Sequence, residues 1–350
     1  MNSASAQLNI FRFSIGAVIL ALVLGWLIGG PQQALVVAIL AILEISLSFE
    51  NAVINASILR RMSDFWQEMF LTVGLLIAVV GMRLLFPVVI VVATSGLALG
   101  SVVDLALHHP AEYAHQLETA HLPIAAFGGM FLFMIFIDFL LDATKQVHWI
   151  ETIEKPLARA GSLKLLPTLI GLVVLVGLAY GLSEHDTAVV LRAGLIGQIS
   201  YLLVRGTGKL FEQWGGMSQT GRQRGKAVVK LTGRAAAASF VYLEVIDASF
   251  SFDGVVGAFA LTNNVLVIAL GLGVGAMFIR ELTVWLVRHD TLTHLKYLEH
   301  GAYYAVGSLA VLLWAGLYVQ LPEAVTGLVG AVIIVASVVE SLQERRQQRA

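Results

Sequence analysis

Asp247-Ala248-Ser249-Phe250-Ser251-Phe252-Asp253-Gly254 lies inside one apolar segment, and Glu44-Ile45-Ser46-Leu47-Ser48-Phe49-Glu50-Asn51 lies inside another. Both stretches run acid-x-Ser-x-Ser-Phe-acid, and each residue of the Glu44 stretch stands 203 positions before its counterpart in the Asp247 stretch. A carboxylate placed in a hydrocarbon layer costs about 2.5–3.5 kcal/mol on insertion scales. The chain carries that cost twice in one pattern, so the two stretches are expected to build one site.

Composition sets the environment. Of 350 residues, 58% are hydrophobic and only 13% charged, and the mean hydropathy is +0.83. Soluble domains carry about 25% charged residues, so the chain reads as an integral membrane protein with the lipid bilayer as its first partner. A net charge of −1 argues against nucleic acid as a partner. The absence of cysteine removes disulfides, thiolate metal sites and cysteine nucleophiles. No HExxH, GxSxG or P-loop is present, so no enzyme activity and no prosthetic group are expected. The apolar run from Phe11 to Leu27 has only Arg12 before it and no small-residue cleavage site, and reads as a retained span rather than a signal peptide.

A spanning helix needs about 20 mostly apolar residues. Ten segments qualify: Phe11–Leu27, Leu35–Leu59, Met69–Val92, Leu122–Leu141, Leu165–Leu182, Ala188–Val204, Ala235–Leu261, Val265–Val287, Ala302–Val319 and Val325–Val339. Leu97–Leu107 is apolar but too short to span. With the N-terminus placed inside, Lys and Arg outside the spans fall on inside segments, among them Arg60, Arg61, Lys145, Lys155, Arg205, Lys230, Arg288, Lys296 and Arg345. The longest outside loop, from Ser95 to Ala120, has three histidines and no Lys or Arg. Basic residues stay on the cytoplasmic side, so both termini are expected there. Those three histidines, His108, His109 and His115, lack a fixed metal-ligand spacing.

The fold expected is therefore all-α: a polytopic transmembrane helix bundle of about ten spans in one domain, residues 1–350. The first acidic stretch then descends the membrane and the second ascends it. Residues 35–142 form a first repeat and 235–319 a second, inverted one, giving a 3+3 core as in secondary transporters with a midplane site. Gly81-Met82-Arg83 and Ala276-Met277-Phe278-Ile279-Arg280 continue the likeness on the next helix of each repeat.

Residues six apart on a helix diverge by roughly 120°. Glu44 and Glu50 thus do not share a face, nor do Asp247 and Asp253, and one ion would need acids from both repeats or a local break. Asn51 and Gly254, each just after the second acid, favour such a break. Ser48 follows Glu44 by one turn and Ser251 follows Asp247 by one turn, while Glu244 precedes Asp247 by one turn. Carboxylates with hydroxyls form an all-oxygen environment suited to Mn²⁺, Ca²⁺ or Mg²⁺. The plainer alternative makes each acid a structural ion-pair partner. Arg83 and Arg280 are available for that, as tethers or as gating counter-ions. Asp138 and Asp142 read as an exit vestibule or a solvated end, Glu281 as a local partner of Arg280, and Glu299 with His300 as an interfacial pair.

The acidic repeat, the run Ala276–Arg280 and Tyr297-Leu298-Glu299-His300-Gly301 resemble the TerC superfamily of bacterial integral membrane proteins. Phe127–Leu132, His148-Trp149-Ile150-Glu151 and Tyr242–Gly254 resemble the branch of it described only as a domain of unknown function. The resemblance covers about Leu43 to Trp314. It implies metal-facing positions at Glu44, Glu50, Asn51, Asp247 and Asp253, with Glu50 and Gly254 departing from the acid-plus-Asn pairing of TerC proper. It also implies divalent metal transport, with Mn²⁺ efflux across the bacterial cytoplasmic membrane as the expected activity. The same acids in an H⁺, Na⁺ or Ca²⁺ transporter, or a non-transporting component of a tellurium-resistance complex, are the alternatives. The oligomeric state has no signature in the sequence.

Overall fold

The computed structural model describes residues 11–163, 165–214, 230–262, 264–289, 291–319 and 323–347, without the side chains of 249–253 and several other helix positions. The described residues are helical, joined by turns, with a lone bridge between Met62 and Leu231. Helix α1 (Arg12–Leu47) is a hairpin of two arms, because Gly29 and Gly30 leave helical backbone values between them and Gly30 sits at φ +71°. Only glycine adopts that region cheaply, and Pro31, with no N–H to lose, opens the second arm. Gly25 lets the arms close: a Cβ there would stand 3.0 Å from the Val37 side chain.

Chain order continues with α2 (Phe49–Leu59), α3 (Asp64–Leu76), a π-helical stretch (Ile77–Leu85) and α4 (Phe86–Ser95). Two ten-residue helices follow, α5 (Leu99–His108) and α6 (Pro110–Thr119). Then come α7 (His121–Leu140), α8 (Glu151–Ala160), α9 (Leu166–Ala179), α10 (Glu184–Trp214), α11 (Gly233–Leu261), α12 (Val265–Arg288), the single turn α13 (Thr291–His294), α14 (Leu298–Ala315) and α15 (Glu323–Gln347). Among the described residues five stretches are long and apolar enough to cross a membrane by length and composition, the first of them running across the Gly29–Gly30 break: Arg12–Ser46, Asp64–Ala93, His121–Leu140, Glu184–Gly206 and Val265–Arg288. Large apolar side chains cover the outside, Leu27, Leu165 and Val173 among them. On a water-soluble protein such a surface would aggregate; against lipid tails it is solvated.

The core forms where α2, α7, α12 and α14 meet, around Ile54, Met130, Phe131, Met134, Ile279 and Val306. Loops sort to two ends of this bundle. At one end Ser63 N donates to Leu231 O and Leu231 N to Arg61 O. Arg60 pairs with Glu299 at 3.2 Å, Lys296 with Glu344 at 2.5 Å, and Trp149 Nε1 donates to Glu340. At the other end Gln33, Leu107, Pro110, Thr262 and Asn264 line a cavity of about 410 Å³. Helix α8 lies at the first end, where Glu154 is fully buried, pairs with Lys145 at 2.8 Å, and accepts from the Trp149 and Ile150 amides. Burial pushes the Glu154 carboxyl up, but Lys145, Ile150 and His300 outweigh it and hold the group below its ordinary value.

Two sequence expectations change. The break expected beside Asn51 falls at Ser48, where α1 gives way to α2. None occurs at Gly254, because α11 continues through it to Leu261. Tertiary packing on both sides of α11 outweighs the modest helix cost of one glycine.

Candidate cation site

The second arm of α1 ends by carrying Glu44, 2% exposed, against α12. Gly275 permits this, since a Cβ there would stand 2.5 Å from Glu44 Cβ. Glu44 Oε1 accepts from Arg83 Nη2 and, at 2.9 Å, from the Ser48 hydroxyl. Arg83 comes from the π-helical stretch and also donates to the carbonyls of Ala78 at 2.6 Å and Leu272 at 3.1 Å. Wide-turn segments of this kind recur at functional positions in helices.

Arg280 on α12 is the second anchor, at 3% exposure. Its Nη1 and Nη2 grip Glu244 as a fork, at 3.1 and 2.9 Å, and Nη2 also reaches Asp247 Oδ2 at 3.0 Å. Nη1 donates further to Phe70 O, and the guanidinium lies 4.3 Å from the Phe70 ring centre. Gly74 makes room: a Cβ there would be 2.4 Å from Arg280 Nη1. A planar fork matched to a carboxylate is the strong form of such a pair. Breaking it would strand buried charge.

The two acidic stretches touch each other. Asn51 Nδ2 donates to Asp247 Oδ1 at 2.6 Å. A Cβ on Gly254 would stand 3.2 Å from Glu44 Oε2. Glu50 is 3% exposed and its Oε2 has no hydrogen-bond partner among the described residues; Gly330 of α15 approaches it, with a Cβ position 3.2 Å from Oε1. The side-chain oxygens of Asn51 and Asn55 are buried and likewise unpartnered.

Of the residues singled out in the sequence, Glu44, Ser48 and Arg83 meet in one cluster, and Asn51, Glu244, Asp247 and Arg280 in a second. The side chains of Ser251 and Asp253 lie outside the described residues. No group of three or more acidic or histidine side chains among the described residues is arranged to hold a metal ion. The arginines, not a cavity, occupy the acids.

Several neighbours differ from expectation. Glu281 does not pair with Arg280, which turns toward Glu244 and Asp247; it faces Ser14 on the first arm of α1 instead. Glu299 and His300 do not pair with each other: Glu299 takes Arg60, and His300 Nε2 approaches Val147 O at 2.9 Å and Glu154 at 3.5 Å. Asp138 is engaged by Arg205 at 2.6 Å and by the Tyr201 hydroxyl at 2.7 Å. Asp142 caps the backbone of Thr144, and His108 pairs with Asp104. Asn55, one turn beyond Asn51 in an apolar run, carried a signal that the acids overshadowed.

A family model spans residues 49–348 of this chain. The chain belongs to the family described as Protein of unknown function (DUF475). The match takes in Glu50, Asn51, both arginines and the whole second acidic stretch, and begins just after Ser48. No curated protein and no solved structure matches this DUF475 chain.

Proposed function

We propose that this DUF475 protein is a cation transporter related to the TerC superfamily, with divalent metal, Mn²⁺ first, as its substrate and efflux as its direction. One observation carries this: the two acidic stretches touch reciprocally. Glu44 and Asp247 are counterparts, as are Asn51 and Gly254, and the contacts run Asn51 to Asp247 and Gly254 to Glu44. Reciprocity of that form is the mark of a two-fold relation. The arginines follow the same pattern, Arg83 donating to Leu272 O on α12 and Arg280 to Phe70 O on α3. We read it as a 3+3 inverted repeat within about ten spans of the bacterial cytoplasmic membrane. Both termini, with the end that gathers Arg60, Lys145, Lys230 and Lys296, face the cytoplasm.

In this proposal Arg83 and Arg280 neutralise the acids while no cation is bound, since bare carboxylates clustered in low dielectric repel strongly. An incoming cation replaces the guanidinium groups, and the freed acids, Ser48 and the unpartnered oxygens of Glu50 and Asn51 become its ligands. Purified protein in vesicles should carry Mn²⁺ down an imposed gradient. Glu44→Gln and Asp247→Asn should each abolish that flux at undiminished protein content. Flux of Na⁺, Ca²⁺ or H⁺ without Mn²⁺ would keep the site and change the substrate. No flux of any of these would end the transport proposal and leave a structural or resistance-complex role.

A further inference from the structure

Away from the arginine-paired acids, α12 holds a buried carboxyl of its own. Glu281 is 8% exposed and Ser14, opposite it on the first arm of α1, is fully buried. Among the described residues neither Glu281 Oε2 nor Ser14 Oγ has a hydrogen-bond partner of acceptable geometry, and the Ser14 backbone N–H also faces the carboxyl. No ion pair joins Glu281 to a cation among the described residues. Arg280, its neighbour in sequence, is committed to Glu244 and Asp247.

The elements packed on α12 supply no substitute. On α1 the other charged residues are Arg12, which is exposed, and Glu44, which is held by Arg83. On α3, Asp64 pairs with Lys230 and Glu68 is exposed. Glu50 on α2 lies beside Gly330. On α11, Glu244 and Asp247 belong to Arg280, Tyr242 is half-buried and Arg234 exposed. His294 on α13 is exposed as well. An ionised Glu281 would stand in a low-dielectric interior without counter-charge, which is costly. A neutral carboxylic acid needs only an acceptor, and a serine hydroxyl is one.

We propose that Glu281 and Ser14 form a proton-binding site, separate from the acids held by Arg83 and Arg280. With the proton on, Glu281 Oε2–H donates to Ser14 Oγ. On release the O–H bond breaks, the proton passes to water, and the Ser14 hydroxyl rotates to donate to the carboxylate left behind. Water is close: Glu281 lies seven residues before the end of α12 at Arg288, about 10 Å along a helix. Use of this proton to drive cation exchange rests on the transport proposed above; the site itself does not.

The test uses the full chain in vesicles. Infrared spectra of wild type should contain a protonated-carboxyl band that weakens as the buffer is made alkaline. Glu281→Gln should remove that component, and Ser14→Ala should shift its frequency by deleting the acceptor. If Glu281→Gln fails to fold, the Ser14→Ala shift decides alone. A spectrum unchanged by either substitution overturns the site. Mn²⁺ uptake driven by a pH gradient should be lost in Glu281→Gln, while Mn²⁺ exchange at equal pH persists. Gradient-driven uptake that survives the substitution overturns coupling, whereas absence of any Mn²⁺ flux in wild type defeats the transport proposal and leaves the infrared result to judge the site.

Discussion

Replacing Arg280 with methionine tests the packing of the acids most directly. The substitution keeps a long apolar side chain in place but strips two buried carboxylates, Glu244 and Asp247, of their cation, and removes the donor to Phe70 O. Removing one partner of a buried ion pair costs about 3–5 kcal/mol. Two acids are stranded here, so the upper end, ~5 kcal/mol, is expected. Glu244→Gln alone should cost less, about 1–3 kcal/mol, because Arg280 keeps Asp247 and Phe70 O and the amide oxygen can still accept. The triple substitution Arg280→Met, Glu244→Gln, Asp247→Asn should recover most of the loss, since exchanging a whole buried ionic group for neutral residues is often close to neutral. Denaturant unfolding in detergent micelles, followed by circular dichroism, ranks the four proteins. A single Arg280→Met variant as stable as wild type, or a triple variant no better than the single, would refute the argument that stranded charge is what Arg280 prevents.

Gly275→Ala should destabilise by about 1–3 kcal/mol through overpacking, because the new methyl would meet Glu44 at 2.5 Å. Gly177→Ala on α9, where nothing lies within 4 Å, serves as its control and should be neutral or stabilising in the same unfolding assay. The Glu154 carboxyl is held below its ordinary value of 4.5, so its stabilising contribution is complete above that value and is lost as pH falls through the folded value. Hydrogen exchange at the Trp149 and Ile150 amides, corrected for the intrinsic rate, should show protection weakening on acidification in wild type and already weak at neutral pH in Glu154→Ala. A cysteine at Ala111 should react with an impermeant thiol reagent outside intact cells and one at Gln347 only after the membrane is opened; the opposite pattern would invert the proposed topology and leave the export direction without support.

The helices were legible because apolar runs long enough to cross a bilayer are rare in proteins that do not enter one, and the acids stood out because those runs hold few other charges. Residue spacing alone paired Arg83 and Arg280 with acidic helices, yet it could not say that Arg280 would take two acids and Arg83 one. That depends on Gly74 and Gly275 letting backbones approach, and a glycine in an apolar helix has no signature of its purpose. The partner of Glu281 was hidden for another reason. Adjacency in sequence suggested Arg280, but neighbours on a helix diverge by about 100°, so consecutive charges point to different elements. The hairpin within α1, which delivers Ser14 to Glu281, is a long-range contact invisible to local pattern. The π-helical stretch under Arg83 likewise has no counterpart in hydropathy.

Gly330 has a practical consequence for anyone who shortens or fuses this chain. The last helix would pass for a disposable tail, since it follows the acidic stretches by some distance and ends in a run of arginines and glutamines. Its backbone nevertheless forms the wall beside Glu50. A chain cut before residue 323 would present that carboxylate to lipid or detergent, and a bulky side chain at position 330 would press on it from the same direction. A trimmed protein that still enters the membrane is therefore not a smaller copy of the original, and negative results obtained with it would say nothing about the intact molecule.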